Sequence, residues 1–250
     1  REGIESGIHG LRDRLLVLAD TLDSLALLES DGEVLAAALL HVAPALAEAL
    51  RPQLARHFPV GQALLEGHGA ATQVWALHAE RHAAGSGSEG LRRLLLAIVR
   101  DLRVVPILLA RQLARLRAAH ALPEPERRAL AQLTRDIHAP LANRLGIWQL
   151  KWELEGLAVR YLEPATYQQI ARLLDDKRSG RERFVEQVKH ALREALAAQG
   201  IRGEVAGRPK HIYSIWKKMQ KKNVPIGELY DLRAVRVLVD DIPACYAVLG

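Results

Sequence analysis

Five of the chain's eight lysines lie between Lys210 and Lys222, and none precedes Lys151. On a helix, where each residue advances about 100°, Lys210, Ser214, Lys218 and Lys221 follow one another at spacings of four, four and three. They make one stripe, with Lys217 alongside, and from Gly207 to Asn223 there is no acidic residue to offset it. A hydroxyl flanked by ammonium groups suits a polyphosphate. A solvated basic face is the plainer alternative, and spacing alone does not separate the two. Pro209, in the first turn of such a helix, gives up no hydrogen bond. The helix start then directs free amides and partial positive charge at the turn carrying Arg208. Arg208 itself can stack on a base or grip a phosphate with two N–H groups. Asp231 precedes an apolar run. A carboxylate there, facing bound phosphates, is placed to hold Mg²⁺, a hard cation that takes oxygen ligands; a cap or turn role is the alternative.

These residues must be positioned by a small α/β element set. Past residue 180 the pattern predicts an amphipathic helix at 181–199, a short strand at 201–206, a helix at 210–222 and a strand at 232–239. A further helix starts near Ile242-Pro243. Ile212, Ile215, Trp216 and Met219 fall opposite the basic stripe, suited to packing on the sheet. The second strand alternates with Arg and then turns continuously apolar, as expected in a mixed sheet. Two strands are too few for an independent sheet, so the chain is expected to stop inside this domain.

Before that, apolar residues recur at helical spacing. Helices are expected at 8–28, 32–50, 53–65, 70–82, 89–117, 124–144, 147–159 and 164–176, punctuated by Gly, Pro and Ser clusters. The fold class is therefore mainly α, opening into α/β. The expected division is a helical domain at 1–155, a helical linker at 156–180 and the start of a second domain at 181–250.

Composition narrows the function classes. Net charge is +6, which favours an anionic partner. The lone Cys245 excludes an internal disulfide or a cysteine zinc site. The uncharged run Val34 to Ala47 is too short to cross a membrane. Arg1-Glu2-Gly3-Ile4 has neither a signal-peptide order nor an initiator Met, so a cytoplasmic piece of a longer protein is expected.

The segment Gly207-Arg208-Pro209-Lys210-His211-Ile212-Tyr213-Ser214-Ile215-Trp216-Lys217-Lys218-Met219, with Tyr230-Asp231-Leu232-Arg233-Ala234-Val235-Arg236, resembles the start of the RelA/SpoT synthetase domain. So does Ala139 to Gly146, continuing through Lys151-Trp152-Glu153-Leu154-Glu155 to Arg160-Tyr161-Leu162. The likeness covers about residues 91–250 and is fainter before. It implies a nucleotidyltransferase-like sheet that moves the β,γ-diphosphate of ATP to the ribose 3′-OH of GTP or GDP, releasing AMP and making (p)ppGpp. Arg208 would meet the adenine side of ATP. Lys210, Ser214 and Lys218 would hold its phosphates, and Asp231 would be the catalytic Mg²⁺ ligand. The guanine-stacking Tyr segment and a second acidic ligand are expected beyond residue 250, leaving this stretch inactive alone. Ribosome and tRNA contacts are expected only through C-terminal domains that these residues do not include.

The same resemblance implies a helical HD-type domain, whose active members hydrolyse (p)ppGpp at a manganese site. Aligning the histidine motif on Leu35 to His41 keeps His41, but puts Val42 for the ligand Asp and Ala45-Leu46 for Glu-Asp. The last motif falls on Leu109 to Arg115, with Arg111 for Asp and Arg115 for Asn. Neither Val nor Ala can ligate Mn²⁺, and two guanidiniums would repel it. His41 is expected to be a partly buried helix residue, and the domain a pseudo-hydrolase without metal, retained for regulation. Two other readings stay open: a working Mn²⁺-dependent hydrolase, and a non-catalytic nucleic-acid binder using the lysine helix.

Overall fold

The structure is a computed structural model that describes residues 2–81, 101–176, 178–207, 211–228 and 234–249. It divides into two compact units, Arg1–Leu162 and Glu163–Gly250. Among the described residues no helix is long and apolar enough to cross a membrane.

The first unit is helical. Its elements are α1 (Glu2–Leu27), α2 (Gly32–Val42), α3 (Pro44–Ala49), α4 (Arg51–His57), α5 (Pro59–Arg81), α6 (Val104–Ala118), α7 (Glu124–Leu133), α8 (Ala139–Arg144) and α9 (Trp148–Leu162). Helix α6 is the axis of the unit. Val104, Val105, Ile107, Leu108, Leu109, Leu113 and Leu116 are all buried, so most of this helix is interior, while Arg111 and Arg117 are half-buried and Arg115 is exposed. It packs against α1, α5, α7 and α9. Asp31 caps α2 by accepting the Val34 amide at 2.8 Å. Arg103 then ties that cap to the start of α6, pairing with Asp31, Glu33 and Asp101.

Several expected helices are cut or joined differently. The expected helix at 32–50 breaks at Ala43, because Pro44 cannot donate and restricts the residue before it. Pro52 opens α4 in the same way. The two helices expected at 53–65 and 70–82 are instead continuous through α5 from Pro59. Gly67 is no stop signal there: a Cβ on it would lie 3.0 Å from Val104 Cγ2, so the glycine lets α5 approach α6. The helix expected at 89–117 starts at Val104 in its described part, after a turn at 101–103. Residues 82–100, including the cluster Gly85-Ser86-Gly87-Ser88, whose composition suits a flexible loop, lie outside the described residues. Between α7 and α8 the chain widens into a π-turn at Thr134–His138, where the Ala139 amide reaches back to the Thr134 carbonyl. Pro140 has no amide to offer. Gln112 braces this turn from α6, donating to Thr134 Oγ1 at 2.8 Å. Gly146, at φ +71, turns the chain out of α8 towards α9, as its punctuation implied.

The second unit holds α10 (Pro164–Asp176), α11 (Arg178–Ala198), β1 (Gly203–Gly207), α12 (Ile212–Lys222), β2 (Val235–Val239) and α13 (Ile242–Leu249). The predicted order of elements is present. The strands pair antiparallel, from Gly203 opposite Val239 to Gly207 opposite Val235. Helix α11 covers them, with Arg193 donating to the Val205 carbonyl at 3.2 Å.

Candidate functional site

Of the expected synthetase residues, Arg208, Lys210 and Asp231 lie outside the described residues. Ser214 and Lys218 are described, one turn apart on α12. Both are half-buried, while Lys217 and Lys221 beside them are exposed. His211, with ψ 144, is the N-cap, so the helix begins two residues later than the Lys210 start expected. Pro209, expected in the first turn, lies outside the described residues. At the other end Asn223 adopts the left-handed conformation (φ 51), and the Val224 amide bonds back to the Met219 carbonyl at 3.2 Å. That closure fixes where the basic face ends.

What orients the face is the opposite side of α12. Ile215 is fully buried with Ile170 and Ile226, and Ile212, Trp216, Met219, Leu173, Leu174 and Val224 close around them. The partner is helix α10 plus the turn at Ile226–Glu228, where the sequence suggested the sheet. An amphipathic period shows which side of a helix is apolar but not what covers it. Clamped this way, α12 presents a serine hydroxyl and an ammonium to the same side, a geometry that can hold phosphate oxygens.

The first unit contains a cavity of about 1080 Å³ lined from α1, α2, α4, α5 and α6. His41 of α2 and Arg111 and Arg115 of α6 lie on its wall. Arg111 Nη1 donates to His41 Nε2, so the ring is neutral and carries its proton on Nδ1. His68 of α5, only 1% exposed, packs on His41 with ring centroids 3.6 Å apart. Burial, followed by the Arg111 charge, pushes His41 down to about 4. Burial also pushes His68 down, to about 3, with the charges of His41 and Arg111 adding to it. Desolvation lowers both arginines as well, and Arg115 adds a repulsion felt by Arg111.

Sequence reasoning placed His41, Arg111 and Arg115 but missed His68. No carboxylate lies at ligand spacing from it in the chain, and its proximity to His41 is a product of α5 crossing α2. Among the described residues no group of three or more His, Cys, Asp or Glu could hold a metal ion. The polar atoms nearest His41 are a second imidazole and a guanidinium, a set that gives a divalent cation repulsion in place of charge compensation.

Comparison with known proteins places both units. A family model described as "HD domain" matches residues 10–148, more than half the chain, and one described as "Region found in RelA / SpoT proteins" matches residues 207–250. A protein of Escherichia coli (strain K12) named GTP pyrophosphokinase is 52% identical over 162 residues, 65% of this chain and 22% of its own length. A GTP pyrophosphokinase of Photobacterium angustum is 49% identical over 172 residues, 69% of this chain and 23% of its own. A Synechocystis protein named probable guanosine-3′,5′-bis(diphosphate) 3′-pyrophosphohydrolase is 44% identical over 164 residues, 65% and 22% respectively. The chain thus aligns with under a quarter of the length of each.

Proposed function

We propose, from the premise that this chain belongs to the RelA/SpoT family and carries an HD domain, that the intact protein is an ATP:GTP 3′-diphosphotransferase making (p)ppGpp. The observation that carries this reading is the Ser214–Lys218 face of α12, which falls inside the stretch matched by the RelA/SpoT region. The names of the relatives at 52% and 49% identity agree with it.

In the reaction, the ribose 3′-oxygen of GTP or GDP forms a bond to the β-phosphorus of ATP. The bond from that phosphorus to the α,β-bridging oxygen breaks, and AMP leaves. Such transfers are governed by positioning and charge neutralisation. Lys210, Ser214 and Lys218 would hold the β- and γ-phosphates in line, and Arg208 would fix the adenosine end. Asp231 would hold Mg²⁺, which supplies charge neutralisation on the transferred diphosphate when bound. In the intact protein, Asp231→Asn should lower the turnover of ATP and GTP to AMP and (p)ppGpp by about 10²-fold or more and leave the fold intact. Unchanged turnover would remove Asp231 from the metal site.

The helical unit, on this reading, does not hydrolyse the product and serves to regulate its synthesis, in a cytoplasmic enzyme of the stringent response. The guanidiniums of Arg111 and Arg115 beside His41 support the loss of the manganese site. The Synechocystis relative's name favours the second reading, a working hydrolase. The two part cleanly on one assay. With Mn²⁺ and (p)ppGpp supplied, the first expects no diphosphate release by the chain, and sustained release would establish the second.

A further inference from the structure

We propose that the solvent face of α9 is a docking surface for an acidic amphipathic helix of a partner protein, seated across Gly156 between Trp148 and Arg160. This surface stands apart from the synthetase reading and from the cavity of the helical unit.

Its anchor is a tryptophan pair kept at the surface. Trp148 opens α9 and is 48% exposed, close in sequence to Leu145 at 36%. Its ring stacks on that of half-buried Trp152, with centroids 5.9 Å apart and planes 25° from parallel. Lys151 lies against both rings, its ammonium 3.7 Å from the Trp152 centroid and 5.2 Å from that of Trp148. Lys151 is buried, and Glu155, buried as well, pairs with it at 3.3 Å. Enclosing an ion pair carries a desolvation penalty. Here the pair braces an exposed indole in one orientation, which a partner then need not immobilise. Large aromatic side chains held in this way anchor protein interfaces.

Gly156 is an independent sign of a partner. It lies one turn past Trp152, in mid-helix, where glycine is less favourable than alanine. Neither conformation nor packing within the chain calls for it: its φ is not positive, and a Cβ built on it would meet nothing within 4 Å. A missing Cβ on an open helix face lets another backbone come close. Trp148, Trp152, Gly156 and Arg160 follow at intervals of four, the row that forms a ridge on a helix surface, and Gly156 is the notch in it. A helix crossing at this notch adopts the commonest packing class, at roughly −50°.

Charge selects the partner. Both carboxylates of α9 are engaged, Glu153 by Arg117 of α6 and Glu155 by Lys151. Arg160 is exposed, and among the described residues no carboxylate lies within ion-pair distance of it. The face therefore offers apolar surface in its middle and a guanidinium at one end. The occupant that fits has a small apolar residue at the crossing point and a carboxylate within reach of Arg160.

The test titrates the 250-residue chain with two labelled synthetic helical peptides of about four turns, followed by fluorescence anisotropy. Both carry alanine and leucine at every third and fourth position; one has glutamate at the flanking positions and the other lysine. The glutamate peptide should bind saturably and about tenfold or more tightly than the lysine peptide. Trp148→Ser should weaken it by about tenfold or more. Arg160→Gln, a surface change that leaves the tryptophan pair in place, should remove most of the preference for glutamate.

Gly156→Ala separates docking from folding. It should raise the melting temperature of the chain alone, because the open face accepts a methyl and alanine favours the helix. It should also weaken the glutamate peptide by about tenfold, by holding the two backbones apart. Equal affinity for the two peptides would overturn the proposal, as would no saturable binding at about millimolar peptide. So would binding that Trp148→Ser and Gly156→Ala leave untouched, or a Gly156→Ala chain that melts below the wild type. Single-stranded RNA that displaces the peptide and loses affinity in Trp148→Ser would reassign the surface to nucleic acid. A dimer of the chain that Gly156→Ala dissolves in sedimentation would reassign it to self-association, and either result overturns the acidic helix.

Discussion

At the scale of single residues, the stacked pair His41–His68 makes a measurable claim about pH. In the folded chain both rings stay neutral well below their ordinary range, at about 4 and about 3. In the unfolded chain each takes a proton near the ordinary imidazole value of 6.5. The unfolded state therefore binds more protons between those limits, and stability must fall as pH drops from neutrality towards 4. The shifted carboxylates Asp31 and Asp101 act lower, since bonds from backbone amides and Arg103 hold them below the ordinary aspartate value of 3.8. For His68, almost wholly enclosed, the slope approaches about 1.4 kcal/mol per pH unit; half-exposed His41 contributes less. We expect the urea midpoint to decline from pH 7 to 5 in the wild type, and His68→Leu to flatten that decline. An unaltered slope in the variant would show that His68 titrates normally. His41 could be located in the sequence because the resemblance to the RelA/SpoT family aligns a histidine motif on Leu35 to His41. His68 could not, since its role comes from a neighbour 27 positions away in the chain.

At the scale of elements, the strongest dependence is that of α12 on its buried face. Ile215 has no exposure and meets Ile170 and Ile226, one from α10 and one from the turn after α12. Truncating it leaves a cavity that three separate segments would have to close. Ile215→Ala should destabilise the second unit by about 3 kcal/mol, read as lost hydrogen-exchange protection of α12. Protection equal to wild type would mean that the helix is held by something other than this cluster. Element types were legible from period and composition: the amphipathic period of α12 and the Val-rich run of β2 both appear. Boundaries and partners were less so. Gly67 reads as a break until Val104 is placed beside it, and Pro44 cuts a helix that periodicity alone carries on. The cover of α12 could not be read at all, because an apolar stripe carries no address.

At the scale of the molecule, the chain holds a packed helical unit of 162 residues and an α/β unit that carries the basic face of α12. The mainly helical class and the family were legible, since long apolar periods and a contiguous motif survive without coordinates. The consequence of the altered HD pocket was legible only by halves. The sequence shows Val42, Ala45 and Arg111 where ligands are expected, but not that the arginines share a cavity with His41, on whose ring His68 packs. Each unit has its own buried cluster, and that of the second, around Ile170, Ile215 and Ile226, draws no residue from the first, so removing the helical unit should leave it intact. If it acts by biasing the synthetase between states, deletion of residues 1–162 from the intact protein should leave a folded enzyme whose rate no longer answers to the same signals. Basal and stimulated (p)ppGpp synthesis, measured side by side, check this. The ratio of the two should collapse towards one, because a regulator can shift an equilibrium only by its differential interaction with the two states. A truncated enzyme with the parent's basal rate and the parent's stimulation would leave the helical unit with no part in control.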